Sequence, residues 1–298
     1  YELAVSTPDQ QVTRKMGLRT LVVVNKKDDI GASLVIRVNG VDVFAKGANW
    51  IPADAMPQAH TAERFRTLLS SAVKANMNIV RVWGGGEYER DEFYDLCDEF
   101  GVLIWHDMMF ACALYPADDA FIDNVREDIR FQVKRLRHHA SLALWCGDNE
   151  VIGAIGWYST DKLLRDRSLI NYDRINRELD RIVRTEDPER IFWPSSPCGG
   201  PGIFNDGWHD DSCGDMHYWE VWHGAQDFDA FYKVKPRFCS EFGFQSFPSF
   251  ETVETYALPE DYNVFSPVMD HHQKCPRGNK AIIGMFGTYF RMPDSFQS

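Results

Sequence analysis

Positive charge is scarce in this chain. Against 44 Asp and Glu stand 32 Lys and Arg, a formal net charge of −12 at pH 7. Such a surface gives a polyanion little to hold, so nucleic acid and anionic membrane are not expected partners. The seven cysteines, Cys97, Cys112, Cys146, Cys198, Cys213, Cys239 and Cys275, include no CxxC pair and are irregularly spaced. Neither a metal site nor a disulfide framework is expected from them; most read as reduced, partly buried small hydrophobes. No run of about 18 apolar residues could span a bilayer. No signal peptide is read in the opening residues, and there is no Asn-x-Ser/Thr sequon. Internal repeats and low-complexity tracts are also missing. Gly84-Gly85-Gly86 lacks the spacing of a phosphate or dinucleotide cradle and reads as a tight turn. Ser195-Ser196 and Cys146 have no base at a known spacing, which ranks them low as nucleophiles.

Aromatic residues are abundant. They make up 13% of the 298 residues, with nine Trp, and hydrophobic residues make up 44%. That is enough for one large core. It also allows a carbohydrate site, because the C–H faces of a pyranose stack on indole rings.

The opening 43 residues differ from the rest. Leu18–Val24, Ser33–Val38 and Val41–Phe44 read as strands, the last two joined by the hairpin turn Asn39-Gly40. They are too few for a sandwich of their own. From residue 44 strands and helices alternate. Strands are expected at 43–50, 78–83, 102–107, 141–145, 190–194, 216–219 and 237–241. Between them, Thr61 caps a helix bearing Phe65, Leu68, Leu69, Ala72 and Val73, and Gly101 closes one bearing Phe93, Leu96, Cys97 and Phe100. Ile122, Val125, Ile129, Val133 and Leu136 mark a third helix, and Tyr172, Ile175, Leu179, Ile182 and Val183 a fourth. Seven strands in series predict an α/β fold, a (β/α)8 TIM-type barrel, with no convincing eighth strand after Phe250.

In such a barrel, chemistry collects at the C-terminal strand ends. These ends carry Asn49 and Trp50, Arg81 and Trp83, His106 and Asp107, Asp148-Asn149-Glu150, His217-Tyr218-Trp219, and Glu241. Glu150 and Glu241 each close an apolar strand, where a charge needs a reason. Glycoside cleavage needs one carboxylic acid to protonate the leaving oxygen and a second carboxylate to attack carbon or activate water. Solvation of a strand end is the plainer explanation for either glutamate alone. Asp148 is read as a solvated loop residue, or else as a neighbour that raises the proton affinity of Glu150. His106, His217 and His223 match no metal-ligand spacing, and no metal or cofactor is expected.

The same segments carry a family resemblance. Arg14–Arg19, Lys46-Gly-Ala-Asn-Trp-Ile-Pro52, Arg81-Val-Trp-Gly-Gly-Gly86, Trp105–Ala113, Trp145-Cys-Gly-Asp-Asn-Glu150, Gly214-Asp-Met-His-Tyr-Trp219 and Cys239-Ser-Glu-Phe-Gly-Phe-Gln-Ser246 resemble glycoside hydrolase family 2, and within it the β-mannosidases. The resemblance implies a retaining exo-β-glycosidase that releases terminal β-mannosyl residues by double displacement. Glu150 would be its acid/base and Glu241 its nucleophile, with the carboxyls about 5–5.5 Å apart. It implies that Asn149 binds the sugar 2-hydroxyl. Trp83, Trp157 and Trp219 become subsite walls, Tyr218 a hydrogen-bond donor to the nucleophile, and His217 and Asp107 further substrate contacts. His106 stands where the family more often has glutamine. Residues 1–43 would be the last strands of an immunoglobulin-like sandwich, and 44–298 an incomplete barrel. Relatives include periplasmic, secreted and lysosomal enzymes. Another family 2 glycosidase, acting on galactosides, glucuronides or glucosaminides, and an inactive sugar-binding fragment remain as alternatives. The sequence carries no signal for oligomeric state.

Overall fold

The computed structural model describes residues 1–203 and 205–297. It opens with an antiparallel hairpin, β1 (Glu2–Ser6) and β2 (Gln11–Lys15), exposed along its length and not legible in the sequence. A three-stranded antiparallel sheet follows: β3 (Leu21–Val24), β4 (Val35–Val38) and β5 (Val41–Val43). Asn39 and Gly40, both at positive φ, make the turn between β4 and β5, as their pairing predicts.

The strand–helix alternation then runs β6 (Gly47–Trp50), α1 (Ala62–Lys74), β7 (Ile79–Val82), α2 (Asp91–Phe100), β8 (Leu103–Asp107), α3 (Asp119–Leu136), β9 (Leu142–Cys146), α4 (Val151–Tyr158), α5 (Lys162–Glu186) and β10 (Phe192–Trp193). The helix boundaries follow their capping chemistry. The Thr61 hydroxyl accepts from the Arg64 N–H at 3.2 Å, and Asp118 accepts from the Phe121 N–H at 3.0 Å. Gly101, at φ +68°, ends α2 and returns its N–H to the Cys97 carbonyl. The five apolar positions expected on α3 are all buried. Each such side chain contributes on the order of 1.5–3 kcal/mol through burial.

Strands β6 to β10 form one parallel sheet in chain order. Period-two alternation divides its side chains, with one register shift on β9 between Leu142 and Leu144. Val80, Val82, Ile104, Leu142 and Trp145 turn to the helices and join Phe65, Phe93, Ile122, Ile129 and Leu179 in the main core. On the opposite face Ile79, Trp105, Leu144, Cys146 and Trp193 meet Leu34 and Ile36. The antiparallel sheet therefore packs against this face of the parallel one. Residue 43/44 marks a change of secondary structure within one shared core.

Beyond β10 the ladder stops. Pro194, Pro197 and Pro201 lack the N–H that a ladder needs. β11 (Met216–Tyr218) and β12 (Cys239–Phe242) pair with each other in a separate two-stranded sheet. The expected eight-stranded barrel is thus a partial one: no closed barrel forms among the described residues, and none of them after β12 is in a strand.

Contacts divide the chain into two compact units. The first comprises Tyr1–His217 with Pro236–Ser240, the second Tyr218–Lys235 with Glu241–Ser298. The second unit holds α6 (Phe250–Val253), α7 (Pro267–His272) and α8 (Gly278–Tyr289). Trp222 and Phe228 each meet Phe244 edge-on, at 5.0 and 5.4 Å between ring centroids. Val253, Ala257 and Met269 make a small separate core.

Candidate active site

In the first unit an apolar floor carries a polar layer. One inward position beyond Ile79 on β7 is Arg81, and one beyond Trp105 on β8 is Asp107. Both are buried and paired, with Arg81 Nη2 2.8 Å from Asp107 Oδ2 and Nε 3.2 Å from Oδ1. The Trp105 indole and the Gly84 N–H complete the shell of Asp107, at 2.9 and 3.0 Å. Burial pushes the Asp107 carboxyl above its ordinary range, and Arg81 opposes that rise. With four donors on it, Asp107 holds Arg81 in place. Arg81 spreads to Asn49 at 3.1 Å and to Asn149 at 2.7 Å, both through amide oxygens. Asn149 is buried, and its Nδ2 points to Cys112 Sγ at 3.4 Å.

The segment after β9 is clamped by its neighbours. Asn149 N–H donates to the Phe110 carbonyl and Glu150 N–H to that of Ser196, both at 2.9 Å. Glu150 itself sits in the left-handed region, φ 56° and ψ 22°, at the N-terminus of α4. A non-glycine residue there costs of order 1–3 kcal/mol, a strain that these flanking bonds enforce. Its carboxylate meets His217 Nδ1 at 2.6 Å through Oε1 and Cys112 Sγ at 3.5 Å through Oε2.

His217 is fully buried and meets Glu150. Its Nε2 lies 2.9 Å from Ser196 Oγ. That hydroxyl donates to Asp215 Oδ2 at 2.6 Å, as does Ser240 at 2.5 Å. Trp193 Nε1 and the Cys198 N–H donate to Asp215 Oδ1. With its single hydrogen on Asp215, Ser196 accepts from His217 Nε2–H. The short contact at Nδ1 makes His217 a hydrogen-bond partner of Glu150.

Asp148 is neither a solvated loop residue nor bonded to Glu150. It is buried beside α5. Its Oδ1 accepts from the Ser195 hydroxyl at 2.8 Å and the Val151 N–H at 3.1 Å. Burial raises its carboxyl to about 7. His106 faces the helix layer, because it alternates with Trp105 and Asp107. Its Nε2 meets the Tyr94 hydroxyl at 2.8 Å and its Nδ1 the Asp107 carbonyl at 2.7 Å. Burial lowers it to about 4. The structure thus takes His106 out of the polar collar and makes it the hydrogen-bonding residue that its spacing suggested.

Among the expected subsite walls, the Trp83 ring lies over Gly85, where any side chain would displace it. Trp157 on α4 is 55% exposed and meets Trp208 edge-on, at 6.1 Å between centroids. Trp208 was not anticipated; its Gly-Trp-His setting carries no recognisable signal.

In the second unit the Glu241 carboxylate accepts from Trp219 Nε1 at 3.2 Å. The Tyr218 hydroxyl instead donates to the Ala230 carbonyl at 3.0 Å. Trp219, the residue after β11, thus reaches Glu241, while the Tyr218 hydroxyl is engaged with the backbone of Ala230.

No family model matches the chain. A β-mannosidase of Bos taurus is 40% identical over 291 residues, covering 94% of this chain and 33% of that protein. β-Mannosidase B of Aspergillus clavatus is 39% identical over 305 residues, covering 95% and 35%. Over nearly its whole length the chain is β-mannosidase-like. A crystal structure of a β-D-mannosidase from Dictyoglomus thermophilum, 39% identical, matches 96% of this chain and 34% of its own with a TM-score of 0.85. The family 2 resemblance read from Trp145–Glu150 and Cys239–Ser246 is thereby borne out. The chain spans about one third of the length of these mannosidases.

Proposed function

We propose that this chain is the catalytic barrel portion of a retaining exo-β-mannosidase that acts on terminal β-mannosyl residues of mannosides or manno-oligosaccharides. The observation that carries the reading is the Glu150–His217 contact, a carboxyl group in a strained backbone position at a strand end, hydrogen-bonded to a buried histidine. An acid catalyst must begin the reaction protonated. Glu150 gives that proton to the glycosidic oxygen as Glu241 attacks the anomeric carbon. The bond from carbon to the leaving oxygen breaks, and a glycosyl ester to Glu241 forms. Glu150, now a carboxylate, takes a proton from water. The hydroxyl so formed displaces Glu241, and the sugar leaves with its configuration retained. Arg81 and Asn49 fix Asn149, which suits an amide that must meet one hydroxyl in one orientation. No step calls for a cofactor.

The test is release of nitrophenol from aryl β-mannoside, β-glucoside, β-galactoside and β-glucuronide, by the 298-residue chain and by a longer version extended to the length of the relatives. Mannoside cleavage that Glu241→Gln abolishes supports both the sugar and the nucleophile. Silence of the longer protein on mannoside, or preference for another sugar, overturns the assignment. A carboxyl separation of about 9 Å in a sugar-bound crystal structure would indicate inversion instead.

A further inference from the structure

Beside Trp50, two loops that follow β6 and β7 bring three side chains together. His60 is buried at the end of the first loop, and Glu87 and Glu89 lie in the second. His60 Nδ1 is 2.7 Å from Glu87 Oε1 and 3.9 Å from Glu89 Oε2. All three donor atoms lie within 4.8 Å of one another.

The proton inventory of this cluster does not close. His60 Nε2 lies 2.7 Å from the Asp54 carbonyl oxygen and 3.2 Å from the Asp54 N–H. A carbonyl can only accept, so the shorter contact places a hydrogen on Nε2. Nδ1 is then either a bare lone pair facing two carboxylates or the second N–H of an imidazolium. An imidazolium would spend that hydrogen on Glu87. Glu89 would still be short of a donor: Trp50 Nε1 serves its Oε1 at 2.8 Å, while its Oε2 is buried with no hydrogen-bond partner. An unmatched buried carboxylate oxygen is costly. One hydrogen cannot satisfy both carboxylates, whereas one divalent ion can.

We propose that His60 Nδ1, Glu87 and Glu89 form a binding site for a single divalent transition-metal ion of the zinc class. The donor set is one imidazole and two carboxylates, and the imidazole favours such an ion over magnesium or calcium. Bonds of about 2.0–2.1 Å in a tetrahedron put neighbouring donors roughly 3.3 Å apart. The two contacts from Nδ1 straddle that spacing. The outer shell is built as metal sites require: Asp54 fixes the tautomer of His60, and Trp50 orients Glu89. Arg90 and Arg135 pin the backbone carbonyls of His60 and Glu89, at 2.8 and 3.0 Å. Glu87 is 39% exposed, which leaves a path for the ion and room for a water as fourth ligand. The ion ties the first two strand-end loops to each other. The site does not depend on the catalytic reading and holds whichever sugar is cleaved.

The test uses zinc as the probe. The chain and its Glu87→Gln and Glu89→Gln variants are stripped with a chelator, loaded with zinc, desalted and assayed by mass spectrometry of the metal. The unmodified chain should retain one zinc more than either variant and melt higher with zinc; the variants should bind at least about tenfold more weakly and show no such rise. Should Glu89→Gln not fold, Glu87→Gln alone decides, since its carboxylate is partly in solvent. In zinc-soaked crystals the anomalous peak should lie within bonding distance of all three side chains. Equal zinc in all proteins, a peak at the cysteines, or binding of magnesium but not zinc overturns the proposal.

Discussion

His217 and Glu150 meet at 2.6 Å across 67 residues of chain, with Ser196 and Asp215 behind the histidine. Protonation of a leaving oxygen matters most when that oxygen is a poor leaving group. On the proposed function, in which Glu150 is the acid, removing its partner should therefore act selectively. For His217→Gln we expect kcat/KM to fall on the order of 10²-fold on manno-oligosaccharides and far less on dinitrophenyl mannoside, with an altered pH profile. Equal losses on both substrates, with an unchanged profile, would mark His217 as packing alone.

Asp148 gives a stability signature with a definite sign. Its folded carboxyl is raised to about 7 from an ordinary 3.8 by burial. Between those values the folded chain holds a proton that the unfolded chain releases. Stability from this group is thus full below pH ~4 and is lost as pH rises towards 7. Asp148→Asn keeps an acceptor for Ser195 and Val151 and has no charge to bury. Denaturant midpoints at pH 5 and pH 7 should show the variant gaining on the unmodified chain as pH rises. A variant that loses ground to the unmodified chain between pH 5 and pH 7 would contradict the assignment.

The Arg81–Asp107 pair is buried at both ends, with side chains 5% and 0% exposed. Breaking it strands a charge in the interior. Asp107→Ala should cost on the order of 3–5 kcal/mol, read as a lowered urea midpoint, and should loosen Asn149 through Arg81. A variant that melts within about 2 °C of the parent would show that Arg81 finds another carboxylate.

Periodicity made the helices legible. Ile122, Val125, Ile129, Val133 and Leu136 are one face of a helix in any context, and Thr61 and Gly101 punctuate with their own chemistry. The glutamates could be singled out because each ends an apolar run. What stayed hidden depends on which way a strand faces. Tyr218 and Trp219 are adjacent, and only pairing geometry tells which of them meets Glu241. Asp148 and Glu150 look alike on paper, yet one is buried beside α5 and the other strained at the head of α4. The hairpin at Glu2–Lys15 left no trace because neither of its faces is buried, so no apolar alternation marks it. His60 and the two glutamates lie on separate loops, at a spacing that fits no ligand pattern.

Leu34 and Ile36 belong by sequence to a β-rich module, but by contact they are the floor under Arg81, Asp107 and Asn149. This decides where family members can be spliced. A chimera joined at Phe44 would seat one parent's polar layer on the other parent's floor, so that Trp105 would pack against a foreign Leu34 and Ile36. A crossover placed before Leu21 carries floor and layer across together.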